Sequence, residues 1–425
     1  MNLQQAIAII GAGPSGLSAA DTLKQLGYRN VTVFEQDTRV GGKVYSVPTG
    51  AGVVELGAVL ASAECELVLG LADRLGVAYA PYPVEQHFLD ERGERHDAAS
   101  FLASRYDAAT IQRAIACYAA ALERCAAAGL DRSTTPPRDL HLPFDQFAAK
   151  YGFTPVAELA RGALVGFGYG YYETVPALYF MKLIAWLFKP DGAGGLQAGS
   201  FFMFPQGFQS LWEALAREHD VRLGTGVAAL TRVVSDSNKA IRLTLTNGEQ
   251  HACDAVIVAA PLHTVSRFMT LTEQEAAVFG QLRSNRYVVS AFAASGLATG
   301  EFLFLHENEK PARIGHMNAW ANRNPALPMY LGWQLADRAS TPEQLQQLLA
   351  GDIAAQGGRL ERVALRQEWD YFPHVDAAAL QSGFFAQVDA LQGQGQVYYV
   401  GAALSFETVE HSARQARALV RQRFG

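Results

Sequence analysis

The sequence predicts an α/β chain, in which a parallel sheet wrapped by helices is interleaved with a second domain and a helical insertion. Three observations predict it. A short apolar strand at Ala6–Ile10 runs into a glycine-rich turn, a helix at Pro14–Leu26 and a second strand at Val31–Phe34. Near-continuous apolar segments return at Asp254–Ala259 and Val397–Val400, the pattern of strands buried on both faces. Between them, residues 76–204 take on helical spacing and many aromatic side chains.

The first strand–helix–strand order implies a parallel pair with a crossover helix. Within 76–204, Ile111, Ile115, Tyr118, Leu122 and Cys125 recur at steps of three and four, so Ala108–Ala128 is an amphipathic helix. Thr134-Thr135-Pro136-Pro137 is a turn, and Phe153–Phe188 is rich in aromatics and glycine. Residues 205–260 return to α/β, with a helix at Gln209–Arg217 and strands at Val221–Leu223 and Val227–Val233. Ile241–Leu245 alternates cleanly, and Asn247-Gly248 signals a type I′ hairpin. Further on, Tyr287–Ala294 reads as a strand, Pro342–Ala355 as a helix, and about Ser412–Arg423 as a terminal helix. These elements divide the chain into one domain from 1–75, 205–275 and 390–425, a mainly helical insertion at 76–204, and a substrate-binding domain at 276–389.

With 49% apolar and 18% charged residues over 425 positions, the chain has ample material for a core. A net charge of −6 argues against nucleic acid as a partner. Cys65, Cys117, Cys125 and Cys253 lie far apart without metal spacing, so no metal is expected, and free thiols in a reducing, cytoplasmic compartment are. Ile7–Ile10 follows no basic region, so a secretory signal is not expected. Tyr171–Phe188, interrupted by Glu173, Pro176 and Lys182, reads as a buried helix or pocket wall, with a peripheral membrane-docking face as the alternative.

Gly11-Ala12-Gly13-Pro14-Ser15-Gly16 is G-x-G-x-x-G placed between a strand and a helix, the context of a Rossmann-type dinucleotide site. Gly11 permits the tight turn, Gly13 lets the backbone approach a pyrophosphate, and Gly16 allows close helix–strand packing. The helix N-terminus offers free N–H groups to phosphate. Glu35, next to Gln36, ends the second strand 19 residues after Gly16, where a carboxylate accepts ribose hydroxyls and disfavours a 2′-phosphate. Gly41-Gly42-Lys43 follows, a second glycine pair beside a cation. This resembles FAD proteins of the glutathione-reductase and amine-oxidase group. The resemblance implies that Gly57 and Ala58 form a flavin-side loop, that Val227 meets the adenine, and that Gly401, Thr408 and Val409 close over the flavin. Ala402 stands where that group usually carries an acidic residue. FAD is therefore the expected cofactor, held non-covalently, because no Cys or His sits in an attachment motif. A second nucleotide-binding unit for NAD(P)H is not apparent, so hydride is expected to come from the substrate.

Leu142-Pro143-Phe144-Asp145, Phe167-Gly168-Tyr169-Gly170, Val175-Pro176-Ala177 and Tyr371-Phe372-Pro373-His374-Val375 resemble segments of bacterial polyunsaturated fatty acid double-bond isomerases, members of the amine-oxidase superfamily. The resemblance implies hydride transfer from a bis-allylic carbon to flavin N5 and back to another carbon of a lipophilic substrate such as a fatty acid or acyl derivative. It departs at Glu85-Gln86-His87, which stand where the isomerase carries arginines before a segment matching Phe88–Glu94. Unless Arg92 or Arg95 substitutes, a fatty ester, a carrier-bound acyl chain or another lipophile fits as well as a free acid.

No protein catalytic residue is identified. Phe167, Tyr169, Trp369 and Phe372 are the candidate substrate-pocket residues, against ordinary core packing. His374 is an acid/base or a hydrogen-bonded structural histidine, and Lys182 pairs with Glu173 or snorkels. The strand at 286–294 lacks the lysine that amine oxidases place near the flavin, which weighs against amine oxidation. Oxidative desaturation, amine oxidation and a non-catalytic flavin protein remain as alternatives to isomerisation.

Overall fold

The computed structural model describes residues 2–50, 52–82, 85–130, 135–232, 241–324 and 329–425. Strands β1 (Ile7–Ile10), β2 (Val31–Phe34), β3 (Asp220–Arg222), β4 (Ala255–Val258) and β5 (Val397–Tyr399) form one sheet in the order β3-β2-β1-β4-β5. Every pairing in it is parallel, with Ile7 opposite both Val31 and Ala255. Because side chains alternate across a strand, β1 and β4 feed two cores. Ile7, Ile9, Ala255 and Ile257 pack into one, with helices α1 (Pro14–Gln25) and α2 (Val409–Phe424). Ala8, Ile10, Val256 and Val258 face the larger core shared with the rest of the molecule. That two-sided burial is why these strands read as continuous apolar runs.

The helix α2 starts earlier than the expected Ser412. Thr408 caps it by accepting the His411 N–H at 3.1 Å, so Thr408 and Val409 are its cap and first residue, while Gly401 lies before it, just after β5. The hairpin after Ile241–Leu245 is present, but its turn is not type I′. Asn247 keeps a negative φ and Gly248 alone is left-handed, at 87°. The Gly248 N–H donates to Leu245 O, and the Leu245 N–H to Glu249 O. A type I′ loop needs positive φ at both central residues. The strand expected at 227–233 is described as Val227–Arg232, and Val233 lies outside the described residues, as does Thr134 of the turn at 134–137.

A second, seven-stranded sheet carries the remaining long strands. Its order is 359–374, 283–295, 329–336, 317–321, 301–305, 85–89, 95–96. Glu85–Leu89 pairs in parallel with Glu301–Leu305, so part of the 76–204 stretch belongs to this sheet rather than to a helical layer. Among the helices of that stretch, Thr154–Gly166 packs against this sheet, and Ala108–Ala127 and Phe144–Tyr151 pack against Thr154–Gly166. Val175–Ile184 is buried throughout, so this part of the 171–188 segment is core and presents no membrane-docking face. Among the described residues, no helix is long and apolar enough to cross a membrane.

Candidate active site

A cavity of about 600 Å³ lies between the two sheets. One end is made by the glycine turn. Gly11 has φ 106°, and its N–H donates to Phe34 O, folding the chain back over β2. Gly16 brings α1 against that turn so closely that a Cβ on it would lie 1.9 Å from Gly11 O. Gly13 and Gly42 face each other. A Cβ on Gly13 would stand 3.9 Å from Gly42 Cα, and one on Gly42 would stand 3.4 Å from Gly13 Cα. The two bare backbones pack together and, with the first-turn N–H groups of α1 that lack helical partners, form a stretch of cavity wall that a pyrophosphate can approach closely. Gly41 and Gly16 do not line the cavity. They act through packing, Gly41 by donating its N–H to Ala12 O at 2.9 Å.

Glu35 is buried at the end of β2. Its Oε2 accepts the Ala12 N–H at 2.7 Å and its Oε1 the Asp37 N–H at 2.9 Å. Burial pushes its carboxyl above the usual range, and these two amides oppose that. Each oxygen keeps a second lone pair for a ribose hydroxyl. Pro14, Ser15, Gln36, Lys43, Gly57, Ala58, Val227, Gly401, Thr408 and Val409 line the same cavity. Gly57 is a close-approach position, where a Cβ would stand 1.9 Å from Lys43 O. Ser15 Oγ donates to Ser412 O, fastening the turn to α2. The facing glycines, the half-satisfied Glu35 and the helix N-terminus fit FAD, which supplies a hydride acceptor when bound.

The other end is aromatic. Phe167, Tyr169 and Trp369 line it as expected, together with Tyr287, Trp333 and Tyr371. Trp369 Nε1–H donates to Leu56 O at 2.7 Å, fixing the indole beside the flavin-side loop. Tyr287 and Tyr169 donate their hydroxyls to Gly166 O and Glu407 O. Burial raises the phenols of Tyr169, Tyr287 and Tyr371 well above their ordinary range. Phe372 is a correction. It is fully buried and does not line the cavity. Trp369, Asp370, Tyr371 and Pro373 line the cavity, whereas Phe372, left-handed at φ 50° beside a register shift in the pairing with 283–295, turns into the core against Tyr179 and Phe406.

His374 reads as structural. Its Nδ1 lies 2.8 Å from Phe372 O, its ring stacks on Phe372, and burial lowers its pKa. Lys182 does not pair with Glu173. It donates to Ser405 O at 3.0 Å, and Glu173 pairs with Arg161. Glu85–His87 lie in a sheet strand outside the cavity, and outside it too lie Arg92, in the turn that follows, and Arg95, paired with Glu301 at 2.6 Å. Tyr287, Trp333 and Glu407 were not identified from sequence. Cross-strand register gathers the first two, since Tyr287 sits opposite Trp369 and Val289 opposite Trp333, and no local pattern carries that information.

Residues 14–418 match the family of flavin containing amine oxidoreductases. The fold is similar to that of a conjugated-linoleic-acid (CLA)-producing fatty acid isomerase from P. acnes, with a TM-score of 0.88, 24% identity and 100% of each chain covered. An FAD-dependent oxidoreductase, dpasF, from Apiospora sacchari is 26% identical, covering 93% of this chain and 88% of its own. A polyenoic fatty acid isomerase from Ptilota filicina is 61% identical over 41 residues, 10% of this chain and 8% of its own. A G-x-G-x-x-G turn, Glu35 and a glycine-lined cradle, spanned by a match covering nearly the whole chain, make this chain an FAD-dependent enzyme of the flavin-containing amine oxidoreductase family.

Proposed function

We propose that the enzyme moves a double bond along a lipophilic polyunsaturated chain without net oxidation. The observation that carries this reading is the aromatic end of the cavity, walled by Phe167, Tyr169, Tyr287, Trp333, Trp369 and Tyr371. The phenols of Tyr169 and Tyr287 are engaged with backbone carbonyls, so their contribution to the wall is ring carbon. Such a wall takes up a hydrocarbon chain, excludes water from a reactive carbon, and tolerates positive charge on it. Hydride leaves a bis-allylic carbon and returns to another carbon of the same chain, so a skipped diene ends as a conjugated one. Likeness to the two isomerases supports this reading, and so does the absence of lysine from the strand Arg283–Ser295.

The site residues follow from the same reading. Gly13, Gly42 and Ser15 hold the pyrophosphate side of non-covalent FAD, Glu35 the ribose, and Val227 the adenine. Gly57, Ala58, Gly401, Thr408 and Val409 surround the flavin. Trp369, held by Leu56 O, aligns the chain against it.

A panel of polyunsaturated acids, their esters and simple amines, incubated in air, tests the proposal. Conjugated-diene absorbance without peroxide supports it. Peroxide from an amine, with no change in any polyunsaturated chain, overturns it in favour of amine oxidation.

A further inference from the structure

Glu407 lines the cavity and pairs with Lys43. Its side chain is 10% exposed, and Lys43 Nζ lies 2.8 Å from its Oε1. Its other oxygen, Oε2, is buried and has no hydrogen-bond partner. A carboxylate oxygen held this far from bulk water acts strongly on what lies beside it. What lies nearby is aromatic. Tyr169 donates its hydroxyl to the Glu407 carbonyl, and Lys43 Nζ lies 5.3 Å from the centre of the Tyr371 ring. Burial raises the phenols of Tyr169 and Tyr371, and the Glu407 charge adds to both, so its field reaches those rings. Ring faces and a carboxylate attract the same kind of charge, and both act strongly where water is excluded.

We propose that Glu407 makes the aromatic end of the cavity a site for positive charge on a lipophilic ligand, favouring a cation over a neutral chain of the same shape. Resting on the reading that hydride leaves the substrate, this assigns Glu407 the task of stabilising the positive charge left on the chain. The charge acts through space, so no bond to Glu407 forms or breaks. The same preference admits lipophilic ammonium compounds as ligands.

The test titrates the oxidised holoenzyme with hexyltrimethylammonium and with its neutral tert-butyl isostere, following the flavin absorbance. The quaternary nitrogen has no lone pair to oxidise, so binding is read without turnover. Wild type is expected to bind the cation at least about tenfold more tightly, the size of an attraction between opposite charges in a site partly shielded from water. Glu407→Gln is expected to bring the two affinities within about twofold, and Glu407→Asp to keep part of the preference. Because Glu407→Gln strands the Lys43 ammonium, the double variant with Lys43→Met repeats the test without it and is expected to show no preference. Equal affinities in wild type, or a preference that survives in both Gln variants, overturn the proposal. Diene formation is measured on the same preparations. Equal affinities with diene formation intact remove the role of Glu407 and leave the isomerase reading standing. A cation preference without diene formation does the reverse.

Discussion

Replacing Gly13 with alanine separates cofactor binding from folding. Gly13 has an extended backbone with φ −78°, which alanine adopts freely, and a Cβ there meets no protein atom closer than Gly42 Cα at 3.9 Å. The apoprotein is therefore expected to fold as wild type. The added methyl, however, stands on the bare stretch of cavity wall that the pyrophosphate approaches. Pushing the phosphates off the α1 N–H groups removes about two charge-assisted hydrogen bonds of about 1.5–3 kcal/mol each. With partial relaxation, a loss of about 3 kcal/mol weakens FAD affinity roughly a hundredfold. Gly16→Ala is the control for the opposite case, since its Cβ would lie 1.9 Å from Gly11 O and α1 must shift away from the turn. The assay is titration of deflavinated protein by flavin fluorescence, beside thermal melting of the apoproteins. If Gly13→Ala binds FAD within about threefold of wild type, or its apoprotein melts as low as Gly16→Ala, the cradle assignment is wrong.

Phe372→Ala should destabilise the protein by about 3–5 kcal/mol in denaturant melts, with FAD stoichiometry retained, because the ring fills core and not the cavity. Trp369→Phe removes the donor to Leu56 O and should shift the flavin absorbance bands while costing about 1 kcal/mol in stability. Glu55 is 1% exposed and its carboxyl is pushed up to about 7 by burial, against the bonds from Ser46 Oγ and the Phe208 N–H. A raised carboxyl gives stability that is present below the unfolded value of about 4.3 and lost as pH rises to about 7. Wild type should therefore lose up to roughly 3 kcal/mol relative to Glu55→Gln between pH 4 and 8, read as diverging melting temperatures. Parallel curves would show that Glu55 titrates normally.

The parallel sheet and the cofactor end were legible because each depends on local sequence. Gly11, Gly13 and Gly16 are spaced by one turn and one helix start, and Glu35 is fixed to them by a single strand. Continuous apolar runs marked β1 and β4 because both faces of those strands are buried. The substrate end was less legible. Phe372 and Tyr371 are neighbours of equal aromatic character, and a left-handed backbone at Phe372 beside a register shift, which no local pattern marks, decides which one faces the cavity. Trp333 and Tyr287 reach the wall through pairing across the seven-stranded sheet, whose register is set by contacts far apart in sequence. Glu85–Leu89 lay within a helical stretch, and its parallel partner is more than 200 residues away. Glu407 carried no motif, and its meaning comes from Lys43, 364 residues distant.

The most direct test of the central claim mixes the holoenzyme anaerobically with a polyunsaturated chain in large excess and follows flavin and conjugated-diene absorbance together. Diene absorbance that grows over many turnovers while the flavin remains oxidised is the predicted result, because the hydride returns to the chain that gave it. Flavin that bleaches after one turnover and stays bleached until an acceptor is added would contradict the claim and make the enzyme a net oxidant.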